Sequence, residues 1–300
     1  EGGHLRWARA ARWTNALPTG GNACRVRGTA EDVFAVMNAS TPATTLIRLN
    51  AKGDRGWSHS LTEPLQHVVG TLDGGVIVGG GANGAPGVRL IKYDGNGNRL
   101  WEKYHLFSHS DTHAPQLTTA RILIRDISPT AQELHIIGWR FRDLNSRRAD
   151  GFMIRCDDAG NVLTTVSFDS PDYTWVRDAT YTPDGGIVFC GMNQPSPDGS
   201  SYPGPGVITT GWLMKTDLLG NILWNRAVES YRGNQFHSVA VSPTGEIYTC
   251  GFLTTVVGNL YGSMQITRHN SSGELISAQT LGESSDSPTV DDYAVIPDQS

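Results

Sequence analysis

The sequence predicts an all-β protein, a β-propeller whose blades are four-stranded sheets. Two observations lead to this prediction: a hairpin motif recurs along the 300 residues, and a second strand–turn–strand motif precedes each copy of it. A repeat period of about 40–50 residues is typical of propellers and solenoids. We expect six blades, five of them complete within the chain, in a single domain that spans residues 1–300.

The hairpin motif consists of apolar residues, a basic residue, an Asp or Asn two places later, and a turn glycine. Its copies are LIRLNAKGD (46–54), LIKYDGNGN (90–98), MIRCDDAGN (153–161), LMKTDLLGN (213–221) and QITRHNSSGE (265–274). The basic and acidic side chains should share one strand face, so we expect a solvated ion pair between them. Trp101 and Trp224 each follow a turn glycine by four residues, and we predict that they pack between blades.

The second motif is a strand, a Pro/Asp/Gly turn and an apolar run that ends in a small residue. Its copies are TLDGGVIVGG (71–80), SPTAQELHIIG (128–138), TPDGGIVFCG (182–191), SPTGEIYTCG (242–251) and the degenerate TAEDVFAVMN (29–38). Together the two motifs give four strands per repeat. Such a unit cannot bury both of its faces alone, so the repeats must stack on one another.

The chain ends match parts of a blade. Residues 1–9 resemble an outermost strand entered at its turn, and residues 290–298 resemble an innermost strand. An unpaired sheet edge between them would be costly. We therefore expect these strands to close a sixth blade, and the natural protein to continue beyond Ser300.

These repeats resemble bacterial propeller repeats of the form DGG-φφφ-G followed by φφ-Lys-φ-Asp-x-x-Gly-Asn-φφ-Trp, related to the delta-60-like and quinoprotein-like repeats. The resemblance covers nearly the whole chain and implies a propeller from a secreted or surface protein. It implies no particular activity, because such folds host binders, enzymes and structural parts.

Composition narrows the classes of partner. Lys and Arg number 24 against 29 Asp and Glu, a net charge of −5 that argues against nucleic-acid binding. No apolar run approaches the roughly 20 residues of a membrane-spanning helix, so we expect no membrane insertion. The cysteines show no metal-like spacing; Cys190 and Cys250 end apolar runs and are interpreted as buried thiols, with a disulfide as the alternative.

The connections between the second and third strands of a blade, and those between blades, are long. We predict that they form one ligand-binding face, uninvolved insertion loops being the alternative. Exposed aromatic residues on such a face suit stacking on sugars or an interface core. The candidate residues are Trp139, Arg140, Phe141, Trp175, Tyr202 and Tyr231.

The innermost strands predict a second candidate site. Aligned on the turns, the positions that line the channel hold Arg25, His67, Asp178, Ser238 and Asp292. This mixed lining could bind an ion or a small polar ligand, or form an ordinary wet channel. In one long loop, His109, Asp111 and His113 alternate so that they point the same way and could hold a metal ion, although loop histidines are most often solvated. We expect no cofactor otherwise.

From these features we predict a non-catalytic recognition propeller, not an enzyme. Its partner would be a glycan or a protein surface, and its location extracellular, on a cell surface or on a virion. The alternatives are a structural part of a larger assembly and an enzyme that uses the channel mouth. The chain contains no Gly-x-Ser-x-Gly, no His-Glu-x-x-His and no phosphate-binding loop.

Overall fold

The computed structural model describes eleven stretches of the chain, and these form β-strands joined by turns. They are residues 20–27, 32–38, 44–63, 65–81, 87–107, 117–141, 149–168, 173–194, 209–228, 234–256 and 259–281. Within them there is no α-helix, and accordingly none long and apolar enough to cross a membrane. The predicted sixth blade and the strands that would close it lie outside these stretches.

The strands form five antiparallel sheets of four strands each, and every sheet is built from strands consecutive in sequence. The first sheet contains β1 (Gly20–Arg25), β2 (Val33–Asn38), β3 (Thr44–Leu49) and β4 (Arg55–Leu61). The second contains β5 (His67–Gly70), β6 (Val76–Gly81), β7 (Gly87–Tyr93) and β8 (Arg99–Leu106). The third contains β9 (Leu117–Ser128), β10 (Ala131–Phe141), β11 (Ala149–Asp157) and β12 (Val162–Phe168). The fourth contains β13 (Tyr173–Tyr181), β14 (Gly186–Gln194), β15 (Thr210–Asp217) and β16 (Ile222–Val228). The fifth contains β17 (Asn234–Val241), β18 (Ile247–Val256), β19 (Asn259–His269) and β20 (Leu275–Leu281). Four predicted strands per repeat are confirmed.

The chain divides into two compact units. Unit 1 comprises Glu1–Ser110, Ile124–His135 and Cys156–Leu163, and unit 2 comprises Asp111–Leu123, Ile136–Arg155 and Thr164–Ser300. Each unit is described by itself below. The single domain inferred from the sequence stays a prediction.

Tight turns with glycine connect the third strand of each sheet to the fourth, as the hairpin motif predicts. At one of them Gly97 has a φ of 89°, a left-handed conformation that favours glycine. The Asp94 carboxylate accepts hydrogen bonds from the backbone N–H of Asn96 (2.9 Å) and Asn98 (2.8 Å). The Asp94 side chain thus caps its own turn in an Asx-type arrangement, to which the Asn98 side chain adds a further hydrogen bond.

The ion pair predicted within the hairpin motif is wrong. The Asp or Asn of the motif caps its own turn, so the basic residue pairs instead with an acid near the turn between the first two strands. Lys215, for example, is 5% exposed and its Nζ lies 2.5 Å from Asp184 Oδ2. The equivalent pairs in other sheets are Arg48–Asp32, Lys92–Asp73 and Arg268–Glu246.

The tryptophans that follow the turn glycines pack between neighbouring sheets, as predicted. In unit 1, a Cβ placed on Gly160 would lie 3.0 Å from the Trp101 ring, and in unit 2 one placed on Gly273 would lie 2.8 Å from the Trp224 ring. Each ring therefore occupies the space that a side chain at the next sheet's turn would need. The turn glycine serves both the backbone conformation and the packing.

Hydrophobic cores lie between adjacent sheets within each unit. In unit 1, Phe34 and Leu46 of the first sheet share a cluster with Val76 and Ile91 of the second. In unit 2, one cluster joins the third and fourth sheets, and another joins the fourth and fifth. Cys190 belongs to the latter cluster, and neither Cys190 nor Cys250 forms a disulfide, so their interpretation as buried thiols is confirmed.

Candidate functional site

The first strands of three successive sheets meet at the carboxylate of Asp178 in unit 2. On β17, the Ser238 hydroxyl donates a hydrogen bond to Asp178 Oδ2 (2.9 Å), and the Val239 N–H donates another (3.1 Å). On β9, Arg121 Nε lies 3.6 Å from the other carboxylate oxygen. Asp178 and Ser238, which the sequence placed at equivalent positions, are therefore in direct contact.

Burial controls the protonation of this carboxyl group. Asp178 is only 8% exposed. Burial raises the pKa of its carboxyl above the usual value, although the charge of Arg121 and the hydrogen bonds from β17 oppose the rise. The site therefore favours a protonated carboxyl more than water does, which is the property of a general acid.

Two β-bulges shape this site, one in β13 and one in β17. The pairing of β13 with β14 shifts between Val176 and Asp178, which leaves Arg177 as the extra residue. The pairing of β17 with β18 shifts in the same way around His237. Bulges redirect side chains and are common beside active sites. The extra residue of each bulge is ionisable and directly precedes, in sequence, one member of the Asp178–Ser238 contact.

A glycine on the neighbouring strand makes room for each bulge. A Cβ on Gly191 would lie 1.8 Å from the carbonyl oxygen of Trp175, and a Cβ on Gly251 would lie 1.8 Å from that of Gln235. Only glycine allows so close an approach of two backbones. These glycines end the apolar runs of the second sequence motif. They were the signal in the sequence that could have revealed Arg177 and His237.

His237 is held as a neutral imidazole. Burial, followed by the positive charge of Arg177, lowers its pKa to about 4. The edge of its ring contacts the ring of Phe252, with centroids 4.8 Å apart and planes at 77°. His237 Nε2 is buried and has no hydrogen-bond partner in the described part of the protein.

Two predicted ligand-binding aromatics form a pair beside the bulge in β13. The rings of Trp139 and Trp175 stack with centroids 5.5 Å apart and planes at 24°. The guanidinium carbon of Arg177 lies 5.5 Å from the Trp175 ring centroid, a cation–π geometry. Arg140, next to Trp139, donates a hydrogen bond to the Ser167 hydroxyl (3.0 Å). We call Trp139, Trp175, Arg177, Asp178 and His237 the bulge site.

Of the remaining predicted site residues, three lie on described strands and the rest lie outside the described residues. Arg25 and His67 lie in unit 1, where Arg25 is exposed at the end of β1 and His67 begins β5. Phe141 ends β10, but its side chain is not described. The remaining candidates lie outside the described residues; they are Tyr202, Tyr231, Asp292, His109, Asp111 and His113. Among the described residues no cluster of three His, Cys, Asp or Glu side chains could hold a metal.

Comparison with known proteins identifies solved structures of similar fold but no family. No family model and no curated protein matches the chain. An α-L-arabinanase from Penicillium chrysogenum, solved with arabinobiose, is 10% identical; the match covers 88% of this chain and 93% of the arabinanase, with a TM-score of 0.52. The α-L-arabinofuranosidase Arb93A from Fusarium graminearum, solved with an iminosugar inhibitor, is 8% identical over 87% and 92% of the two chains, with a TM-score of 0.50. At this identity the likeness shows the fold, and the β-propeller prediction is confirmed.

The same comparison corrects the predicted function. We predicted a non-catalytic recognition propeller, with an assembly part and, as the last alternative, an enzyme at the channel mouth. The similarity to an arabinanase and an arabinofuranosidase contradicts the prediction of a non-enzyme. The prediction relied on the absence of short catalytic motifs. Such motifs describe a nucleophile or metal site within one local segment, whereas the bulge site is assembled from strands of three different sheets.

Proposed function

We propose that this protein is an enzyme that cleaves glycosidic bonds at the bulge site, with Asp178 as its general acid. The observation that carries the proposal is the buried Asp178 carboxyl, whose pKa is raised above its usual value at the meeting point of three strands. The propeller fold, which the chain has in common with an arabinanase and an arabinofuranosidase, supports it by analogy.

The chemistry follows from the protonation of Asp178. A protonated carboxyl donates its proton to the glycosidic oxygen as the bond to the anomeric carbon breaks, and the leaving sugar departs as a neutral alcohol. Water then supplies a hydroxyl to the anomeric carbon and a proton to the enzyme, so one water is consumed in each cycle. The hydrogen bonds from Ser238 and Val239 orient the carboxyl and stabilise it once it is ionised.

The paired rings of Trp139 and Trp175 supply a surface for the sugar. Aromatic side chains present large flat apolar faces that suit the C–H faces of pyranose and furanose rings. Their stacking holds the two rings together, and Trp175 precedes Asp178 by three residues on β13.

The partner in this proposal is a glycan as substrate. An extracellular or cell-surface location suits a polysaccharide substrate and stays a prediction. The same holds for the expected lack of nucleic-acid binding and of membrane insertion. The proposed chemistry uses the chain's own carboxyl and water and requires no cofactor.

The test is hydrolysis of a polysaccharide panel by the wild type and by Asp178→Asn. The panel contains arabinan, arabinoxylan, galactan, polygalacturonan and glucuronoxylan, and the assay measures reducing ends released. We expect activity on at least one substrate and a fall in kcat of about 100-fold or more in Asp178→Asn, the usual contribution of a general acid. Asp158→Asn, at an exposed turn residue, is the matched control and should keep full activity.

Thermal unfolding separates a catalytic from a structural role of Asp178, because its hydrogen bonds also join β13 to β17. A folded Asp178→Asn protein without activity supports the proposal. If Asp178→Asn does not fold, Asp178→Glu takes its place. A folded Asp178→Glu should shift the basic limb of the pH–rate profile. The proposal fails if the wild type releases no reducing ends from any substrate, or if a folded Asp178→Asn protein keeps wild-type kcat.

A further inference from the structure

The last described strand, β20, is exposed along its whole length. It lies at the edge of the fifth sheet, where β19 is its neighbour in the strand order. All seven of its residues are exposed, and the largest apolar ones, Leu275, Ile276 and Leu281, are 51%, 50% and 45% exposed. The outer side of an edge strand presents backbone N–H and C=O groups that can pair with another strand.

The sequence of β20 lacks the residues that protect exposed sheet edges, which are above all charged residues and proline. It reads LISAQTL and contains no charge, no proline and no glycine. The fourth strands of three other sheets do contain charged residues; these are Arg55 on β4, Arg99, Glu102 and Lys103 on β8, and Arg226 on β16. Uncharged segments of six or seven residues without proline are the ones that pair with copies of themselves. The composition of β20 therefore favours pairing.

The fourth strands of the third and fourth sheets are partly covered by the sheet that follows. A Cβ on Gly220 would lie 2.8 Å from the Val166 side chain of β12, and one on Gly273 would lie 2.8 Å from the Trp224 ring of β16. At the position that corresponds to Trp224, four residues after the turn glycine, β20 has Ser277, which is exposed. Within the described part of the chain, the side chains of β20 form no hydrogen bond or ion pair. The strand is therefore open to a partner.

We propose that β20 pairs antiparallel with β20 of a second copy of this chain, about a two-fold axis at Ala278. A two-fold interface uses the same surface on both copies, so that surface must be complementary to itself. The register places Leu275 opposite Leu281, Ile276 opposite Thr280, and Ser277 opposite Gln279. Each pair thus joins apolar with apolar, β-branched with β-branched or polar with polar side chains, which are favourable cross-strand combinations. The small Ala278 meets its own copy at the axis without a clash.

The charges nearest to β20 do not oppose this pairing. Glu274 directly precedes the strand, and its two copies would lie at opposite ends of the paired strands, about 27 Å apart at 3.4 Å per residue. That separation exceeds the Debye length of about 8 Å at physiological salt, so their repulsion is screened. Arg268, which is opposite Ser277 on β19, is already paired with Glu246. A single pair of strands is a small interface, and interfaces below about 1,200 Å² are weak, so the dimer should dissociate on dilution.

The experiment measures the mass of the full chain by sedimentation velocity from about 1 µM to about 1 mM, the range in which weak complexes dissociate. We expect the wild type to change from monomer to dimer as its concentration rises. Ala278→Lys places two like charges about 5 Å apart at the axis and should raise the dimer Kd about tenfold or more. Thr165→Lys adds the same charge at the corresponding exposed position of β12 and should leave the Kd unchanged. Circular dichroism checks that each variant is folded.

Two further variants test the position of the axis. Mixing Ala278→Lys with Ala278→Glu should restore the dimer, because opposite charges then face each other. Ala278→Cys should form a covalent dimer on oxidation, since antiparallel partners about 4.5–5.5 Å apart lie within the Cα separation of a disulfide, whereas Thr165→Cys and the wild type should not. Ala278→Cys also provides the test should Ala278→Lys not fold.

Three results would overturn the inference. The first is a wild-type chain that stays monomeric up to about 1 mM, whether or not β20 then binds a strand of a different protein. The second is a dimer whose Kd does not change in a folded Ala278→Lys protein, which would mean that the copies meet elsewhere. The third is a mixture of the Lys and Glu variants that remains monomeric. None of these results depends on whether the chain hydrolyses glycans.

Discussion

Replacing Gly191 with alanine should unfold the bulge in β13 and weaken the whole fourth sheet. Gly191 pairs with Val176 in the β13–β14 ladder, directly before the register shift. The Cβ of an alanine would lie 1.8 Å from the Trp175 carbonyl oxygen and 2.9 Å from its carbonyl carbon. Both contacts involve backbone atoms, so no side-chain rotation can relieve them.

The size of the effect follows from the distance to be recovered. Real Cβ atoms essentially never approach another heavy atom within 3.0 Å, so the carbonyl must retreat by more than an ångström. Overpacking in a well-packed region costs about 1–3 kcal/mol, occasionally more, and moving this carbonyl also strains the ladder bonds around the bulge. We expect a loss of about 3 kcal/mol in the free energy of unfolding. Binding or activity at the bulge site should fall in parallel, because Arg177 is displaced.

Chemical denaturation followed by tryptophan fluorescence measures the loss, with two comparison variants. Gly251→Ala, opposite the bulge in β17, has the same 1.8 Å contact and should be destabilised similarly. In Gly56→Ala the nearest atom would be 3.7 Å away, so its free energy of unfolding should stay within about 1 kcal/mol of the wild type. The reasoning is refuted if Gly191→Ala is as stable as Gly56→Ala.

Two further outcomes follow from the packing and the electrostatics. Trp224→Ala removes a half-buried ring that packs on Gly273, and it should lower the free energy of unfolding by about 2–3 kcal/mol in denaturant titrations. The control is Leu223→Ala at a neighbouring residue that is 58% exposed, which should change the free energy of unfolding by less than about 0.5 kcal/mol. Equal effects of the two substitutions would contradict the packing role of Trp224. His237 has a pKa of about 4 in the folded protein against the usual 6.5 of an exposed imidazole. As the pH falls, the unfolded chain therefore binds the extra proton first, and stability is lost between about pH 6.5 and 4. Relative to the His237→Gln variant, the loss in the free energy of unfolding should reach about 3 kcal/mol. Denaturation at a series of pH values measures it. If the free energies of unfolding of the two proteins change with pH in parallel, His237 is not protected from protonation.

The repeat made the blades predictable because its signals are local. A turn glycine needs a left-handed φ, and Gly97, Gly160 and Gly220 have φ values of 89°, 76° and 93°. The tryptophan that follows Gly97 and Gly220 by four residues lies near the start of the next strand, and its packing on the following sheet needs only the regular repetition of the blade. Trp224 against Gly273 is one such contact. Strand order and inter-sheet packing could therefore be derived from spacing alone.

The bulge site was only half visible in the sequence, because alignment by turns assumes strict strand alternation. That assumption aligned Asp178 with Ser238, and the two side chains are in contact because both follow their bulges in the same register. It passed over Arg177 and His237, which exist at the site only because each strand contains one extra residue. The ion-pair partners were missed for a related reason. A basic residue two positions before an Asp lies on the same face of the strand, but the carboxylate of that Asp already accepts hydrogen bonds from its own turn. Lys215 therefore reaches Asp184 on another turn.

The bulges also explain how adjacent residues of one strand can supply both an acid and a cation. In a regular strand the side chains of Arg177 and Asp178 would point to opposite faces of the sheet. The extra residue at the bulge interrupts that alternation: the carboxyl of Asp178 contacts Ser238, and the guanidinium of Arg177 lies over the Trp175 ring. The glycine that permits the bulge is Gly191, on the neighbouring strand. A repeat chain of this kind can therefore gain or lose a polar site through a change on the second strand of a blade, at a position that an inspection of the site residues alone would overlook.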